Sequence, residues 1–346
     1  MQETVNVKVE SNEPKTPVFT KIKKFLKSQN GWLFILPAMI LMLIFTFYPI
    51  VNALISAFKE NYKGLTGNYD GWGFANFKAV ITGEAPKSEL GEINALPPAD
   101  FIDCLINTLI FAFISVPAST ILALLISVGL NSIKVLQKAY QTIFFLPYLT
   151  NSLAMGAVFA TFFNIVGTSA NTETLGLVNN VLQLFGLSPI NWINTFQLGE
   201  GFNPWAGRFV VIIFEIWSGL PFKILIIFSA LQAVNKQYYD AAKVDCANKF
   251  RTLIKITVPL ISPTLSYLLV TGLMGGLKSY SAIVGLFGDK MGPANDYEMG
   301  TMVGYIYSCI GSGSTGYAAA GSLILFGIIM VFTLINLYVS KKKVHY

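Results

Sequence analysis

The chain has 346 residues, of which 53% are hydrophobic and only 12% charged. A soluble domain carries about 25% charged residues, and here the apolar residues come in long uncharged runs, so lipid is the solvent for much of the chain. One histidine, His345, and three scattered cysteines, Cys104, Cys246 and Cys309, exclude a Cys/His metal cluster, a disulfide framework and a nucleophile–histidine catalytic set. The composition favours a conduit over an enzyme, with no catalytic, cofactor-binding or metal-ligating residue assigned.

Residues 1–30 form a polar, basic lead, with Lys21, Lys23, Lys24 and Lys27 just before the first apolar run. That run, from Trp32 to about Phe58, exceeds a signal-peptide core of roughly 7–15 residues and predicts an uncleaved first span. A second charge-free window lies between Asp103 and Lys134, and a third between Lys138 and Glu173. The fourth span, from about Phe209 to Leu231, contains Glu215, Pro221 and Lys223. The fifth falls between Lys255 and Lys278. The window from Glu298 to Lys341 is split by Gly311–Gly316, leaving Tyr317 to Val339 as the sixth. Each clears the ~20 residues that cross the hydrocarbon. The expectation is an all-α domain of six membrane helices over residues 31–346.

With the N-terminus in the cytoplasm, the cytoplasmic segments are residues 1–30, the Lys134/Lys138 turn, a loop of about 232–257 and the tail. They carry most of the 24 Lys and Arg. The outer segments, about 59–100 and 166–207, are poorer in them, and the stretch from Lys59 to Asp103 is net acidic. This is the positive-inside pattern with both termini inside. It accounts for the +6 net charge without nucleic acid, since no basic patch interleaves with aromatics. Turn signals at Ala95-Leu96-Pro97-Pro98 and Ser188-Pro189 mark both outer segments, and the second predicts a small extracytoplasmic lobe.

A charge at mid-bilayer costs roughly 2.5–3.5 kcal/mol on insertion scales, so Glu215 requires a partner or a cavity. One reading is a solute path lined by Glu215 and Trp217, with Lys278 and Tyr280 at the end of the fifth span. The other is structural: Glu215 pairs within the bundle, Lys223 reaches toward a surface and Trp217 packs. Gly272, Gly275 and Gly276 read as close helix packing. A phosphate loop requires Gly-x4-Gly-Lys-Ser/Thr. Gly276-Leu277-Lys278-Ser279 does not meet it, so no nucleotide site is predicted.

The loop between the fourth and fifth spans contains Tyr239-Asp240-Ala241-Ala242-Lys243-Val244-Asp245-Cys246-Ala247-Asn248-Lys249-Phe250, then Ile256-Thr257-Val258-Pro259. Good helix formers predict a short helix from Tyr239 to Val244, with Asp245 N-capping a second one and Pro259 starting or kinking the next span. By physics alone this is a helix–turn–helix projection or an ordinary basic connection.

The stretch resembles the EAA loop of the permease subunits of bacterial ABC importers. Its acidic-Ala-Ala core appears as Asp240-Ala241-Ala242, its glycine position as Cys246, and its ending as Ile256–Pro259. The segments Trp32–Pro37, Tyr48-Pro49, Asn76-Phe77, Asn107–Leu109, Phe144–Tyr148, Glu215–Phe222 and Ala230–Gln232 resemble the carbohydrate-uptake branch, in its order and over most of the chain. The resemblance implies a six-helix type I importer permease in the cell membrane that translocates a carbohydrate, most naturally an oligosaccharide, by alternating access. It implies a second homologous permease, two cytoplasmic ATPase subunits that use the ATP, and an extracytoplasmic solute-binding protein. It also implies that Tyr239, Asp240, Ala241, Ala242, Asp245, Cys246, Ala247 and Phe250 couple the chain to the ATPase. The rival reading is an ion-gradient-driven secondary transporter, which calls for broken helices around buried ion sites. Because Cys246 stands where glycine is usual, the sequence predicts a negative φ there, with capping at Asp245 making the turn.

Overall fold

The computed structural model describes residues 30–83, 100–133, 137–163, 165–166, 174–193, 202–292 and 298–343. The basic lead to residue 29, the Ala95–Pro98 turn and Lys134 lie outside them. Residues up to Ala53 and those from Leu54 form two compact units. The first holds α1 (Asn30–Met42), which passes through one π-type turn at Leu43–Phe47 into α2 (Tyr48–Phe58), whose end from Leu54 belongs to the second unit.

The second unit contains the rest. A two-residue strand β1 (Lys59–Glu60) pairs antiparallel with β2 (Gly71–Trp72), and α3 (Ala75–Thr82) follows. Then come α4 (Phe101–Ser132), α5 (Gln137–Phe145), α6 (Ser152–Phe163), the strand pair β3 (Ile165–Val166) and β4 (Thr174–Leu175), and α7 (Leu177–Leu184). The remainder is α8 (Pro204–Ala233), α9 (Lys236–Val244), α10 (Lys249–Thr252), α11 (Val258–Leu260), α12 (Ser262–Gly276), α13 (Ser281–Phe287), α14 (Met302–Gly311) and α15 (Thr315–Lys343).

Phe34–Phe58, Phe101–Ser132, Pro204–Ala233 and Thr315–Tyr338 are each long and apolar enough to cross a membrane. The third and fifth spans are bent pairs: Ala139–Leu149 with Ser152–Phe163 at 99°, and Lys249–Leu260 with Ser262–Gly276 at 71°. Six spans result. The bends have a covalent cause. Pro147 sits in a 3-10 turn that ends at extended Thr150, and Pro259 and Pro263 flank Ile261, which leaves helical geometry. Proline removes a backbone donor and crowds the preceding turn.

In hydrocarbon, water cannot satisfy the backbone groups such breaks expose. Short polar side chains do it instead. Asn151 accepts from the Leu153 N–H at 2.8 Å. Buried Asn76 donates to the Ala57 and Lys59 carbonyls at 2.9 and 2.7 Å and accepts from the Asn61 N–H at 3.2 Å, pinning α3 to the end of α2. Asn107, 1% exposed, donates to the Glu298 and Gly300 carbonyls at 2.8 and 3.2 Å and accepts from Arg208 Nε at 3.0 Å. Its neighbour Thr108 accepts from the Met302 N–H at 3.0 Å. One turn of α4 thus holds the start of α8 and the link before α14.

Spans approach closely where side chains are small. A Cβ on Gly276 would lie 3.1 Å from Ala112 Cα, one on Gly272 2.8 Å from Val116, and one on Gly156 2.8 Å from Gly285 Cα. The packing reading of Gly272 and Gly276 therefore holds, whereas Gly275 faces open space. In and beside the segment 166–207 the described residues form β3, β4, α7 and the turn to Ile193.

Asn107→Leu keeps the volume near native and strands two carbonyls and Arg208. The expected cost is about 1–3 kcal/mol for unsatisfied buried groups, read as a lower midpoint of thermal unfolding in detergent with faster amide exchange at Met302.

Candidate functional site: the hairpin and the Glu215 contact

The hairpin is built from caps. Asn235 starts α9 by accepting from the Gln237 N–H at 3.0 Å, three residues earlier than the sequence places the helix. The turn after α9 corrects two expectations. Asp245 is the C-cap of α9, with φ −77° and ψ 7°, and does not N-cap the next helix. Cys246 has φ 53°, in the left-handed region that the sequence reading ruled out. The cause is visible in the hydrogen bonds: Ala247 N–H reaches the Ala242 carbonyl at 2.9 Å and Cys246 N–H reaches that of Lys243 at 3.1 Å. Together these form a Schellman closure, which demands a left-handed residue whether or not glycine supplies it. Asn248 then caps α10, accepting from the Arg251 N–H at 2.7 Å. Asp245 lacked the spacing for that role; Asn248, three residues before Arg251, has it.

The hairpin has two faces. Ala242 is buried and Tyr239 half-buried, and Thr257 donates to the Tyr239 hydroxyl at 3.3 Å. These residues join Val128, Asn131 and Leu231, at the ends of α4 and α8, around a cavity of about 390 Å³. Asp240, Ala241, Asp245, Cys246 and Phe250 face outward, and Ala247 is intermediate. Val244 and Tyr238, which the sequence reading did not single out, are also exposed, Val244 by 83%. The missed signal for Val244 is helical phase: with Tyr239 and Ala242 inward, Ala241 and Val244 fall on the outward side.

Lys243 donates to Asp240 Oδ1 at 2.8 Å. That hydrogen bond, then the lysine charge, holds the exposed Asp240 carboxyl below the ordinary carboxylate range. The pair is complete above the ordinary carboxylate pKa and fades only as pH falls through the lowered one. In open water its worth is small, so its effect is to fix the charge pattern on the exposed face.

The second candidate group lies in the bundle. Glu215 on α8 accepts a hydrogen bond from the Ser279 hydroxyl, and Thr301 donates to the Ser279 carbonyl at 2.8 Å. The link between α12 and α13 is thereby tied to both α8 and α14. Trp217 packs on Phe159 and Phe214, with centroids 5.8 and 6.1 Å away. Tyr280 stacks on Tyr307 at 4.6 Å, and Lys278 is exposed. Contrary to the surface-reaching alternative, Lys223 is 7% exposed. It donates to the Val116 carbonyl at 3.1 Å and to the Ser119 hydroxyl of α4. Glu215, Ser279 and Tyr280 come together, while Trp217 sits to one side among phenyl rings.

The family described as binding-protein-dependent transport system inner membrane component matches residues 90–345. The chain is similar to the arabinooligosaccharides transport system permease protein AraP of Bacillus subtilis, 28% identical over 91% of this chain and 90% of that one. It is also similar to the multiple sugar-binding transport system permease protein MsmF of Streptococcus mutans, 27% identical over 93% and 98%. Its fold matches a chain of a bacterial alginate ABC transporter crystallised with an alginate pentasaccharide-bound periplasmic protein. That match has TM-score 0.71 and 23% identity, covering 92% of this chain and 96% of that one.

Cys246→Gly removes the side chain from a left-handed position that costs roughly 1–2 kcal/mol for an L-residue. The expected gain is about 1 kcal/mol, seen as slower amide exchange at Cys246, Ala247 and Arg251. Faster exchange would mean that the cysteine side chain itself holds the turn.

Proposed function

The chain belongs to the family of binding-protein-dependent transport system inner membrane components, and on that premise we propose that it is the permease subunit of an ATP-driven importer of an oligosaccharide. The observation that carries this is the capped hairpin Lys236–Thr252, a rigid projection with an apolar and charged outer face between the fourth and fifth spans. It lies on the cytoplasmic side, with both chain termini, as the lysine-rich flanks of the spans support. A cytoplasmic ATPase grips its outer face through Tyr238, Ala241, Val244 and Phe250, and Asp240 and Asp245 set the orientation of docking. The chain itself binds no nucleotide; ATP is used by the partner.

The hairpin is continuous with α8 through Asn235 and with the bent fifth span through the π-type turn at Leu253–Thr257. Movement of the docked ATPase therefore pulls on α8 and α12 together. These are the elements that Glu215 and Ser279 join at membrane depth. Breaking and remaking that contact opens and closes the path. Glu215, Lys278 and Tyr280 line the path, with Tyr307 as a further member and Trp217 packed behind it among phenyl rings, where hydroxyls, a carboxylate and ring faces suit a sugar. The oligosaccharide arrives on an extracytoplasmic binding protein, and a second permease of the same family completes the path. The sugar-transport relatives and the alginate transporter support that substrate class.

Deleting Tyr239–Phe250 should abolish sugar uptake and ATPase recruitment while membrane insertion stays intact. Normal recruitment by that deletion would refute the coupling role. Val244→Glu, which places an unpaired charge in the docked face, should weaken ATPase binding by about tenfold, or about 1.4 kcal/mol. Glu215→Gln should lower uptake with recruitment unchanged, and a loss of recruitment there would contradict the division between the two sites.

A further inference from the structure

The lobe between α6 and α8 has a surface that the transport cycle does not account for. From Thr174 to Trp192 there is no charged residue, although the segment stands between two spans and carries a helix. α7 has three faces. Val178, Asn179 and Leu182 turn inward: Asn179 is fully buried, donates to the Ile190 carbonyl at 3.0 Å, and accepts from the Ile190 N–H and Trp192 Nε1, each at 3.0 Å. Asn180 and Gln183 form an exposed polar edge. Leu177, Val181 and Leu184, spaced i, i+4, i+7, form an apolar row that is 60%, 43% and 84% exposed, and Phe185 and Leu187 extend it. A helix covered on one side needs only one apolar face. An outward aliphatic row flanked by a polar edge is the amphipathic pattern of a helix lying in a membrane interface, with its apolar face partly buried at the headgroup boundary.

The lobe's attachment places it at that depth. Trp192 stacks on Phe209 of α8 at 5.9 Å and meets Phe163 of α6 edge-on at 5.8 Å. It thereby covers the ends of both spans on that side. Trp205, 68% exposed, stands at the same end of α8 with Arg208 against its ring at 4.9 Å. Tryptophan at the end of a span, with a cation beside it, marks the membrane–water boundary. The lobe that carries the apolar row is thus attached beside that boundary, where Phe162 and Phe209 of the neighbouring spans are also exposed.

We propose that α7 and the Phe185–Leu187 turn are an interfacial membrane anchor, with Leu177, Val181, Leu184 and Phe185 immersed in the acyl-chain boundary of the leaflet adjoining the α6–α8 connection. This rests on the six-span membrane fold and is independent of the solute and of the ATPase. The anchor fixes the lobe to the bilayer, so the outer ends of α6 and α8 shift with the membrane surface as their reference.

The test uses the full chain carrying Cys246→Ser, since Cys104 and Cys309 are buried, in phosphatidylcholine–phosphatidylglycerol vesicles. Leu184→Cys and Gln183→Cys are each labelled with an environment-sensitive fluorophore. The label at 184 should lose emission to a lipid with a nitroxide near the top of its acyl chain and resist aqueous iodide, while the label at 183 shows the reverse. Quenching of the 184 label by iodide alone would place the row in water. Protection from both quenchers would mean that protein covers it. Either outcome overturns the anchor, and neither bears on hairpin docking.

Discussion

The structure depends on one constraint: inside a bilayer, a backbone N–H or C=O that leaves the helix must find its partner within the protein. Within the bundle the chain leaves helical geometry at Thr150, at Ile261 and before α14. Around Ile261 the backbone serves itself, with the Ile261 N–H reaching the Thr257 carbonyl at 3.1 Å. Elsewhere Asn76, Asn107, Asn151 and Thr301 take over the hydrogen bond, and in the hairpin Asn235 and Asn248 do the same as helix caps. Asparagine suits it because it presents two donors and an acceptor on a short stem. Lys223 extends the same logic to a charged group, meeting the α4 backbone at Val116, beside Pro117 within the continuous helix.

Capping also supplies the rigidity that the proposed coupling asks of a four-residue helix such as α10. Isolated helices of this length do not persist. The Schellman closure at Cys246, the Asn248 cap and the Tyr239–Thr257 contact tie the hairpin to the start of the fifth span. Under that proposal, a load on its outer face passes to α8 and α12, and so to the contact of Glu215 with Ser279. The left-handed cysteine is consistent with this: local strain is tolerated where the surrounding bonds over-determine the geometry.

The six spans were legible because lipid imposes a length and a freedom from charge that survive as plain runs in the sequence. The two sharp breaks, of 99° and 71°, were less so. Pro147, Pro259 and Pro263 announce a disturbance, but the size of a bend is set by what packs against each half, such as Gly156 against Gly285. The hairpin's position was legible and its turn was not. Substituting cysteine for glycine argues for negative φ by propensity, yet two hydrogen bonds to the Ala242 and Lys243 carbonyls outweigh a penalty of about 1–2 kcal/mol. The burial of Lys223 was likewise hidden, because the Ser119 hydroxyl and Val116 carbonyl that receive it sit on α4, over a hundred positions away.

Cys246 offers the most direct measurement of the central claim, because it is exposed while Cys104 and Cys309 are buried. Membrane vesicles of both orientations, treated with a membrane-impermeant maleimide, report which side the hairpin faces. Cys246 should react in inside-out vesicles, resist in right-side-out ones, and become protected when the ATPase is added. Labelling from the outside, or labelling from the inside that the ATPase leaves unchanged, would contradict the account.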